Sequence, residues 1–245
     1  VFYKGEIAHT IDEFMKNQGG FLSYQDLADH HSEWVEPVST NYRGYDVWEL
    51  PPNGQGIAAL MALGILSHTR IRDLHADDPL ATHLQVEAIK LALLDAETYV
   101  ADGDYMMDIT VEALLDDVYL ASRAALINEN RAQNFKVGAP KDGGTVYLTT
   151  ADASGMMVSF IQSNYAGFGS GIAIPGTGIS MQNRGAGFSL DPESPNRIGP
   201  NKRPFHTIIP GFLMGPIGPL MSFGVMGGPM QAQGHVQMVL RTHVW

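Results

Sequence analysis

The chain has 245 residues, no cysteine, 26 acidic residues against 15 lysines and arginines, and 44% hydrophobic residues. This composition predicts a soluble globular protein of one or two domains that needs no disulfide or metal to fold. The missing cysteines exclude thiol nucleophiles, disulfide frameworks and Cys-ligated zinc. The net charge of −11, with the basic residues scattered along the chain, argues against nucleic acid as a partner.

Neither a signal peptide nor a membrane span is predicted. Residues 1–6 lack the charged and apolar regions of a signal peptide, so the chain as given favours a cytoplasmic location, and a periplasmic or secreted one if a leader was removed. The charge-free stretch 208–230 holds four prolines and six glycines, which a spanning helix would not tolerate. We expect buried strands and tight turns there.

The chain opens with two predicted helices. Apolar residues at helical spacing predict a helix over 6–17, which a glycine pair ends. Ser23, followed three residues later by Asp26, predicts the N-cap of a short second helix.

A strand and a third helix follow. The aromatic and β-branched run 42–50 predicts one strand, ended by two prolines. Asn53 is then the predicted cap of a helix over 56–66.

Two longer amphipathic helices are predicted next. Thr82 and Thr110 stand at the starts of the runs 84–100 and 111–127, each with apolar residues three to four apart. The polar segment 129–144 predicts an exposed loop.

The pattern then changes to strands, predicted at 145–149, 157–163 and 172–174. No formal charge occurs between Arg203 and Arg241, which predicts a sheet interior covered on both faces. Helices followed by strands predict an α+β protein, a layered sandwich of sheets and helices.

The junction between these parts is the strongest candidate for chemistry. A glycine pair, Gly143 and Gly144, leads directly into a strand that opens with Thr145. Glycine permits the strained backbone through which a hydroxyl attacks the preceding carbonyl. After cleavage, the free α-amine, with a pKa of about 7.7 to 8, can act as base for its own hydroxyl. An ordinary hairpin loop is the alternative interpretation.

Several ordered motifs surround this junction. They are GGFLSYQDLADHHSEWVEPVSTNYRGYDVWELPPNGQGIAAL, GGTVYLTTADASGMMVSFIQSNYAGFGSGI, QNRGAGFSL, PNKRPFHTIIP and GGPMQAQGHVQ. Together they resemble the gamma-glutamyltranspeptidases over nearly the whole chain.

The resemblance implies an αββα sandwich of the N-terminal nucleophile hydrolase type, made as a precursor and cleaved between Gly144 and Thr145. Residues 1–144 then correspond to the end of the large subunit, mainly helical, and residues 145–245 to the start of the small subunit, mainly β. Family chains are much longer than this one, so the sandwich is expected to be incomplete. No cofactor or metal is implied, and the two processed subunits are expected to associate, with a homo-oligomer as a further possibility.

The resemblance also implies roles for individual residues. Thr145 is the nucleophile, and Gly227 and Gly228 donate backbone amides to the oxyanion. Ser163 keeps the hydroxyl that the family places near the nucleophile's amine. His206 and Thr207 occupy the positions of the family's paired hydroxyls. The alternatives are a tight turn for the glycines, a solvated or backbone-bonded side chain for Ser163, and an ordinary core or rim histidine for His206.

Three departures from the family pattern concern the acyl donor. Gly187 and Arg184 stand where an acid and a glutamine hold the donor's ammonium group, and Tyr165 replaces an asparagine. A guanidinium suits a carboxylate rather than an ammonium. We therefore expect an acyl group that ends in a carboxylate without an adjacent amine, as in the glutaryl-type acylases and small amidohydrolases of the divergent branch.

The predicted function is thus an amide hydrolase or acyltransferase that acts on small-molecule γ-glutamyl or related carboxyacyl substrates. Two other classes of function remain open. One is a catalytically silent, unprocessed fragment that serves as an oligomeric scaffold. The other is a carboxylate-binding module that uses Arg184.

The remaining candidates are predicted to be structural. His30 and His31 form an exposed pair rather than a metal site, and the acidic pairs 77–78 and 116–117 are helix caps or face charges. A group of methionines is expected to fill the core. They are Met156, Met157, Met181, Met214, Met221, Met226, Met230 and Met238.

Overall fold

A computed structural model describes residues 1–106, 109–135 and 144–243. Asp142 and Gly143 of the predicted cleavage junction, and residues 136–143 of the predicted loop 129–144 in all, lie outside the described residues.

The elements follow one another in a mixed α and β order. The helices are α1 (Glu6–Asn17), α2 (Tyr24–Asp29), α3 (Gly56–Ser67), α4 (Pro79–Tyr99), α5 (Val111–Leu114), α6 (Asp117–Ala124) and α7 (Met230–His243). The strands are β1 (Val38–Tyr42), β2 (Tyr45–Glu49), β3 (Gly144–Ala151), β4 (Met157–Tyr165), β5 (Ala173–Ile174), β6 (Ile179–Ser180), β7 (Gly211–Gly215) and β8 (Gly218–Phe223).

An antiparallel sheet of four strands, in the order β1-β2-β7-β8, joins the two parts of the chain. Its central pairing sets Val47 of β2 opposite Leu213 of β7. The strands β3 and β4 form a separate hairpin, and β5 and β6 form a third, short one. The predicted α+β class is confirmed.

The helical layer covers one face of this sheet. Val47 and Leu213 point into a core that they share with α3, α4 and α7. Helix α3 lies at the centre, and every residue from Gly56 to Leu66 is buried. Because side chains alternate along a strand, Trp48 and Phe212 point to the opposite face. There they line an apolar groove of about 620 Å³ that Ser159 of β4 also borders.

The β3–β4 hairpin lies against the last strand of the sheet. The Ser159 hydroxyl donates to the carbonyl of Phe223 at 3.4 Å, and the hydroxyl groups of Thr149 and Ser222 hydrogen-bond. The hairpin thus contacts the four-stranded sheet at β8, the strand at its edge. The outer face of the hairpin exposes four apolar side chains, those of Val146, Leu148, Val158 and Phe160.

The structure confirms the first two helices and corrects the strand. Helix α1 has the predicted bounds, and Ser23 and Asp26 form a reciprocal capping box on α2. The predicted strand 42–50 is instead the end of β1, a turn, and β2. Arg43 and Gly44 both have positive φ, of 58° and 87°, which suits a two-residue hairpin turn.

Two predicted caps are wrong. Asn53 does not cap α3, because Gln55 occupies the N-cap position. The side-chain amide of Asn53 instead donates a hydrogen bond to the carbonyl of Pro204 at 2.7 Å. Thr82 lies inside α4, which begins earlier with Asp78 as its cap and Pro79 as its first residue.

Thr110 does cap a helix, but the predicted helix 111–127 is two helices. Thr110 accepts a hydrogen bond from the amide of Ala113 in α5, which ends at Leu114. Asp116 then caps α6 by accepting from Tyr119. The expectation that the acidic pairs supply caps is therefore confirmed for Asp78 and Asp116.

The charge-free C-terminal region is only partly a sheet. Strands β7 and β8 confirm the prediction for 208–230, but residues from Met230 onward form helix α7. Val236, Val239 and Leu240 are buried at helical spacing. The predicted covering of both sheet faces is also wrong, since one face borders the open groove.

None of the eight methionines that were predicted to fill the core is fully buried. Met156, Met226 and Met230 are exposed, while Met221 and Met238 are only partly buried against the core. His30 is exposed and stacks on Tyr3 at 4.7 Å. Within the described ranges, no helix combines the length and the apolarity needed to cross a membrane.

Because α3 is buried, shortening one of its large side chains should strongly lower the stability of the protein. Leu63→Ala should lower the free energy of unfolding by about 2 to 5 kcal/mol, because the cavity forms where the helix is enclosed on all sides. Val118→Ala, on the exposed face of α6, is the control and should change it by less than about 0.5 kcal/mol. Urea unfolding measures both, and equal effects would contradict the central position of α3.

Candidate active site

Thr145 and Ser163 face each other across the β3–β4 hairpin. They are register partners, and the Thr145 hydroxyl donates to the Ser163 hydroxyl at 3.3 Å. The register shifts between Gly144 and Thr145, so that Asn164 is an extra residue on β4 opposite this peptide bond. Such bulges redirect side chains locally. The predicted processing junction therefore lies at an irregular point of the hairpin.

The Ser163 hydroxyl also links this pair to the next residues of β4. It accepts a hydrogen bond from the backbone amide of Tyr165 at 2.8 Å. Tyr165 has a φ of 75°, an unusual value for a residue with a side chain. This backbone conformation sets the direction of its ring at the end of β4.

Arg184 packs over that ring. Its guanidinium lies 5.0 Å from the ring centroid of Tyr165, and its Nη1 donates to the Thr207 hydroxyl at 3.1 Å. Burial lowers the pKa of Arg184 below its usual value, but the guanidinium stays charged at neutral pH. Its Nε is buried and has no hydrogen-bond partner among the described residues. Arg184 is thus a half-buried cation whose buried Nε has donor capacity left over.

His206 lies beside Arg184 and is neutral. Burial, and after it the Arg184 charge, lowers the pKa of His206 from 6.5 to about 4. A Cβ on Gly54 would lie 3.0 Å from the Cε1 of His206, so this glycine permits the close packing of the ring. The interpretation of His206 as a rim histidine and its interpretation as a substrate contact both fit this position.

Gly227 and Gly228 lie just before helix α7, with Pro229 between them and its first residue, Met230. Their φ values are 132° and 61°, which glycine adopts most easily. The carbonyl of Gly227 accepts a hydrogen bond from the backbone amide of Met230 at 3.3 Å, and that of Gly228 accepts one from the backbone amide of Gln231 at 3.1 Å. A helix N-terminus carries a partial positive charge that favours a developing oxyanion.

Gln55 connects the glycine pair to Thr207. Its Nε2 donates to the carbonyl of Thr207 at 2.8 Å and to that of Gly228 at 3.0 Å. No role is predicted for Gln55 from the sequence. A polar residue between two glycines, directly before the charge-free helix α3, was the available signal.

A series of contacts therefore joins six of the predicted site residues through Gln55. It runs through Thr145, Ser163, Tyr165, Arg184, Thr207, Gln55 and Gly228, with His206 and Gly227 adjacent to it.

Position 187 has no room for a side chain. A Cβ on Gly187 would lie 2.4 Å from the carbonyl oxygen of Phe205. A carboxylate at this position would therefore require the backbone around residue 205 to move. Within the described residues, the charged side chain that contacts Thr207 is the cation of Arg184.

Comparisons with known proteins identify the family of this chain. The family model for gamma-glutamyltranspeptidase matches residues 1–245. A Bacillus subtilis protein named glutathione hydrolase-like YwrD proenzyme is 37% identical over 98% of this chain and 45% of its own length. Oxamate amidohydrolase proenzyme from Klebsiella pneumoniae is 36% identical, with the same coverage of 98% and 45%.

Among solved structures, the cephalosporin acylase from Bacillus halodurans is 51% identical, with a TM-score of 0.89 over 98% of this chain and 44% of that chain. The fold is thus that of the N-terminal nucleophile hydrolase acylases. The chain belongs to the gamma-glutamyltranspeptidase family. It spans less than half the length of these relatives.

The lowered pKa of His206 predicts a pH dependence of stability. Between about pH 4 and 6.5 the unfolded chain binds a proton at His206 and the folded chain does not. The free energy of unfolding should therefore decrease as the pH is lowered through that range. Titration by NMR, with the resonance assigned by its loss in His206→Asn, should give a pKa of about 4. A value at or above 6.5, the ordinary pKa of histidine, would contradict the burial of the imidazole.

Proposed function

We propose that this chain carries the reaction centre of an amide hydrolase or acyltransferase in which Thr145 is an N-terminal nucleophile. The contact between the Thr145 and Ser163 hydroxyls carries the proposal, because the family resemblance predicts a hydroxyl group beside the nucleophile's amine and Ser163 supplies one. Residues 1–144 and 145–245 are then the two products of one cleavage.

Maturation follows from the chemistry of the junction. The Thr145 hydroxyl oxygen attacks the carbonyl carbon of Gly144, the peptide C–N bond breaks, and an ester replaces the amide. Water then hydrolyses the ester, which leaves a carboxylate on Gly144 and a free amine on Thr145. The bulge at Asn164 supports this step, because an irregular pairing lowers the cost of moving the peptide out of the ladder.

The mature residue then performs acyl transfer. Its α-amine accepts the proton of its own hydroxyl, and the oxygen attacks the substrate's amide carbonyl. The N–H groups of Gly227 and Gly228, at the positive end of α7, stabilise the resulting oxyanion. The C–N bond breaks as the amine leaves with the proton, and water or another amine releases the acyl group from the ester.

The charges of the site support a carboxylate-ended acyl group. Arg184 provides an unpaired N–H in a buried position, and Gly187 leaves no space for an acid that would hold an ammonium. Neutral His206 can donate or accept a hydrogen bond without adding charge. The names of the relatives, glutathione hydrolase-like, oxamate amidohydrolase and cephalosporin acylase, indicate amide substrates in general.

One observation favours a second candidate, an unprocessed protein that associates through its sheets. The four apolar side chains on the outer face of the β3–β4 hairpin are 45 to 59% exposed. Faces of this kind mark sites of association. The next experiment separates the two candidates.

Replacing the nucleophile should abolish processing. Incubation near neutral pH should split the chain into two fragments that meet at Gly144 and Thr145, and Thr145→Ala should stay intact because the attacking hydroxyl is missing. Thr149→Ala, on the same strand, is the matched control and should still be cleaved. Intact-mass spectrometry measures all three. A single unchanged mass for the unaltered chain would favour the association candidate.

Replacing the cationic side chain of Arg184 should alter the preference between charged and uncharged acyl groups. Arg184→Met should raise KM for a glutaryl amide about 10- to 100-fold, because a charge-assisted hydrogen bond is lost, and should change KM for the uncharged pentanoyl amide far less. The exposed Arg197→Met is the control. Equal losses on both amides would contradict the assignment of Arg184 to a substrate carboxylate.

A further inference from the structure

We propose that Gln55 is a positioning residue that holds Gly228 and Thr207 in fixed relation and thereby orients the amides of the glycine pair. This inference rests on the proposed function for its consequence in the reaction. Its structural part can be tested separately.

The backbone around Gln55 is hydrogen-bonded to the segment that carries His206 and Thr207. This pairing of residues 53–55 with residues 204–206 is called the clasp below. The Gln55 amide donates to the carbonyl of His206 at 2.9 Å, and the His206 amide donates to the carbonyl of Asn53 at 3.2 Å. The Asn53 side chain adds a third bond, to Pro204 at 2.7 Å. Two short loops, distant in sequence, are therefore tied together along their length.

The two glycines that flank Gln55 make this clasp tight. A Cβ on Gly54 would lie 3.0 Å from the His206 ring, and a Cβ on Gly56 would lie 2.8 Å from the Cβ of Glu49. Since both neighbours pack this closely, the Gln55 side chain projects from a backbone that has little freedom to move. The side chain is completely buried.

A terminal amide suits the two acceptors that Gln55 contacts. One nitrogen carries two N–H groups, which here bond the carbonyls of Thr207 and Gly228. A carboxylate has no proton to donate, and a methionine has the length but no donor. An asparagine is one methylene shorter than the span that the glutamine covers.

The side-chain amide of Gln55 has one polar atom that the described residues leave unpaired. Its Oε1 is buried and has no hydrogen-bond partner among the described residues. An unpaired buried acceptor destabilises a protein, but an apolar residue here would also deprive the carbonyls of Thr207 and Gly228 of the two N–H groups of the glutamine. A purely structural role therefore predicts that Gln55→Met lowers the stability of the whole chain, whereas a positioning role predicts a specific loss of order at Gly228.

The consequence for the reaction follows from the freedom of glycine. Gly228 has no Cβ to restrict its backbone, so its orientation depends on the bonds that its carbonyl accepts from Gln55 and Gln231. Oxyanion donors act only if they are aimed in advance at the position where the charge develops. Loosening Gly228 should therefore lower kcat more than it raises KM.

The test compares Gln55→Met with Gln85→Met in the full chain. Gln85 is also buried, but its amide bonds only the carbonyl of Ala81 within its own helix in the described structure. We expect hydrogen exchange in the peptide that contains Gly227, Gly228 and Gln231 to become about tenfold faster or more in Gln55→Met and to stay unchanged in Gln85→Met. Unchanged exchange in Gln55→Met would overturn the inference, whether or not the chain is active.

Kinetics provide the second measurement. In the processed protein, Gln55→Met should lower kcat about 10- to 100-fold with KM within about threefold, while Gln85→Met retains the original values. A KM effect without a kcat effect would overturn the assignment to the glycine pair. Absence of turnover in the unaltered chain would instead contradict the proposed function, and hydrogen exchange would still decide the role of Gln55.

Gln55→Glu supplies a variant of nearly the same shape. Its ionised carboxylate repels the two carbonyls, but its protonated form can donate one hydrogen bond to them. Its kcat relative to the unaltered protein should therefore rise as the pH is lowered, and exchange at Gly228 should slow in parallel. A relative kcat that does not change with pH would contradict hydrogen-bond donation as the function of this side chain.

Discussion

The enclosure of α3 is the constraint on which the rest of the structure depends. This helix has no polar face, since every residue from Gly56 to Leu66 is buried, so it is stable only where other elements surround it. The four-stranded sheet covers one side, and α4, α6 and α7 cover the others. The pairing of β2 with β7 closes this core across the chain. The N-terminus of α3 then lies at the clasp that holds the segment around His206.

The site is assembled at the edge of this core from groups that its rigidity keeps in place. Its local charge is opposite to that of the whole chain, because the cation of Arg184 lies partly buried in a protein with a net charge of −11. The same charge, together with burial, keeps His206 neutral. A neutral imidazole and a cation with an unpaired donor make a consistent receptor for an anionic acyl group.

Short-range chemistry explains which predictions from the sequence were confirmed. Helix α1 and the capping box of Ser23 and Asp26 depend on residues within one turn of each other, so their pattern is complete in the sequence. The turn at Arg43 and Gly44 was missed because strand-forming residues on both sides outweighed one glycine. Helix α7 was missed because a charge-free stretch fits a buried strand and a buried helix equally well, and only the spacing of Val236, Val239 and Leu240 distinguishes them.

For the site, the sequence by itself determined the membership of a family and the identity of the candidate residues Thr145, Gly227, Gly228 and Arg184, because ordered motifs carry that information. Tertiary structure alone decided how these residues are connected. The bonds of Gln55 to Thr207 and Gly228 join positions more than 150 residues apart, and the space at Gly187 is closed by the backbone of Phe205. Hydrogen bonds and steric exclusion act over a few ångströms, so contacts between segments this distant in sequence exist only once the core around α3 has brought them together.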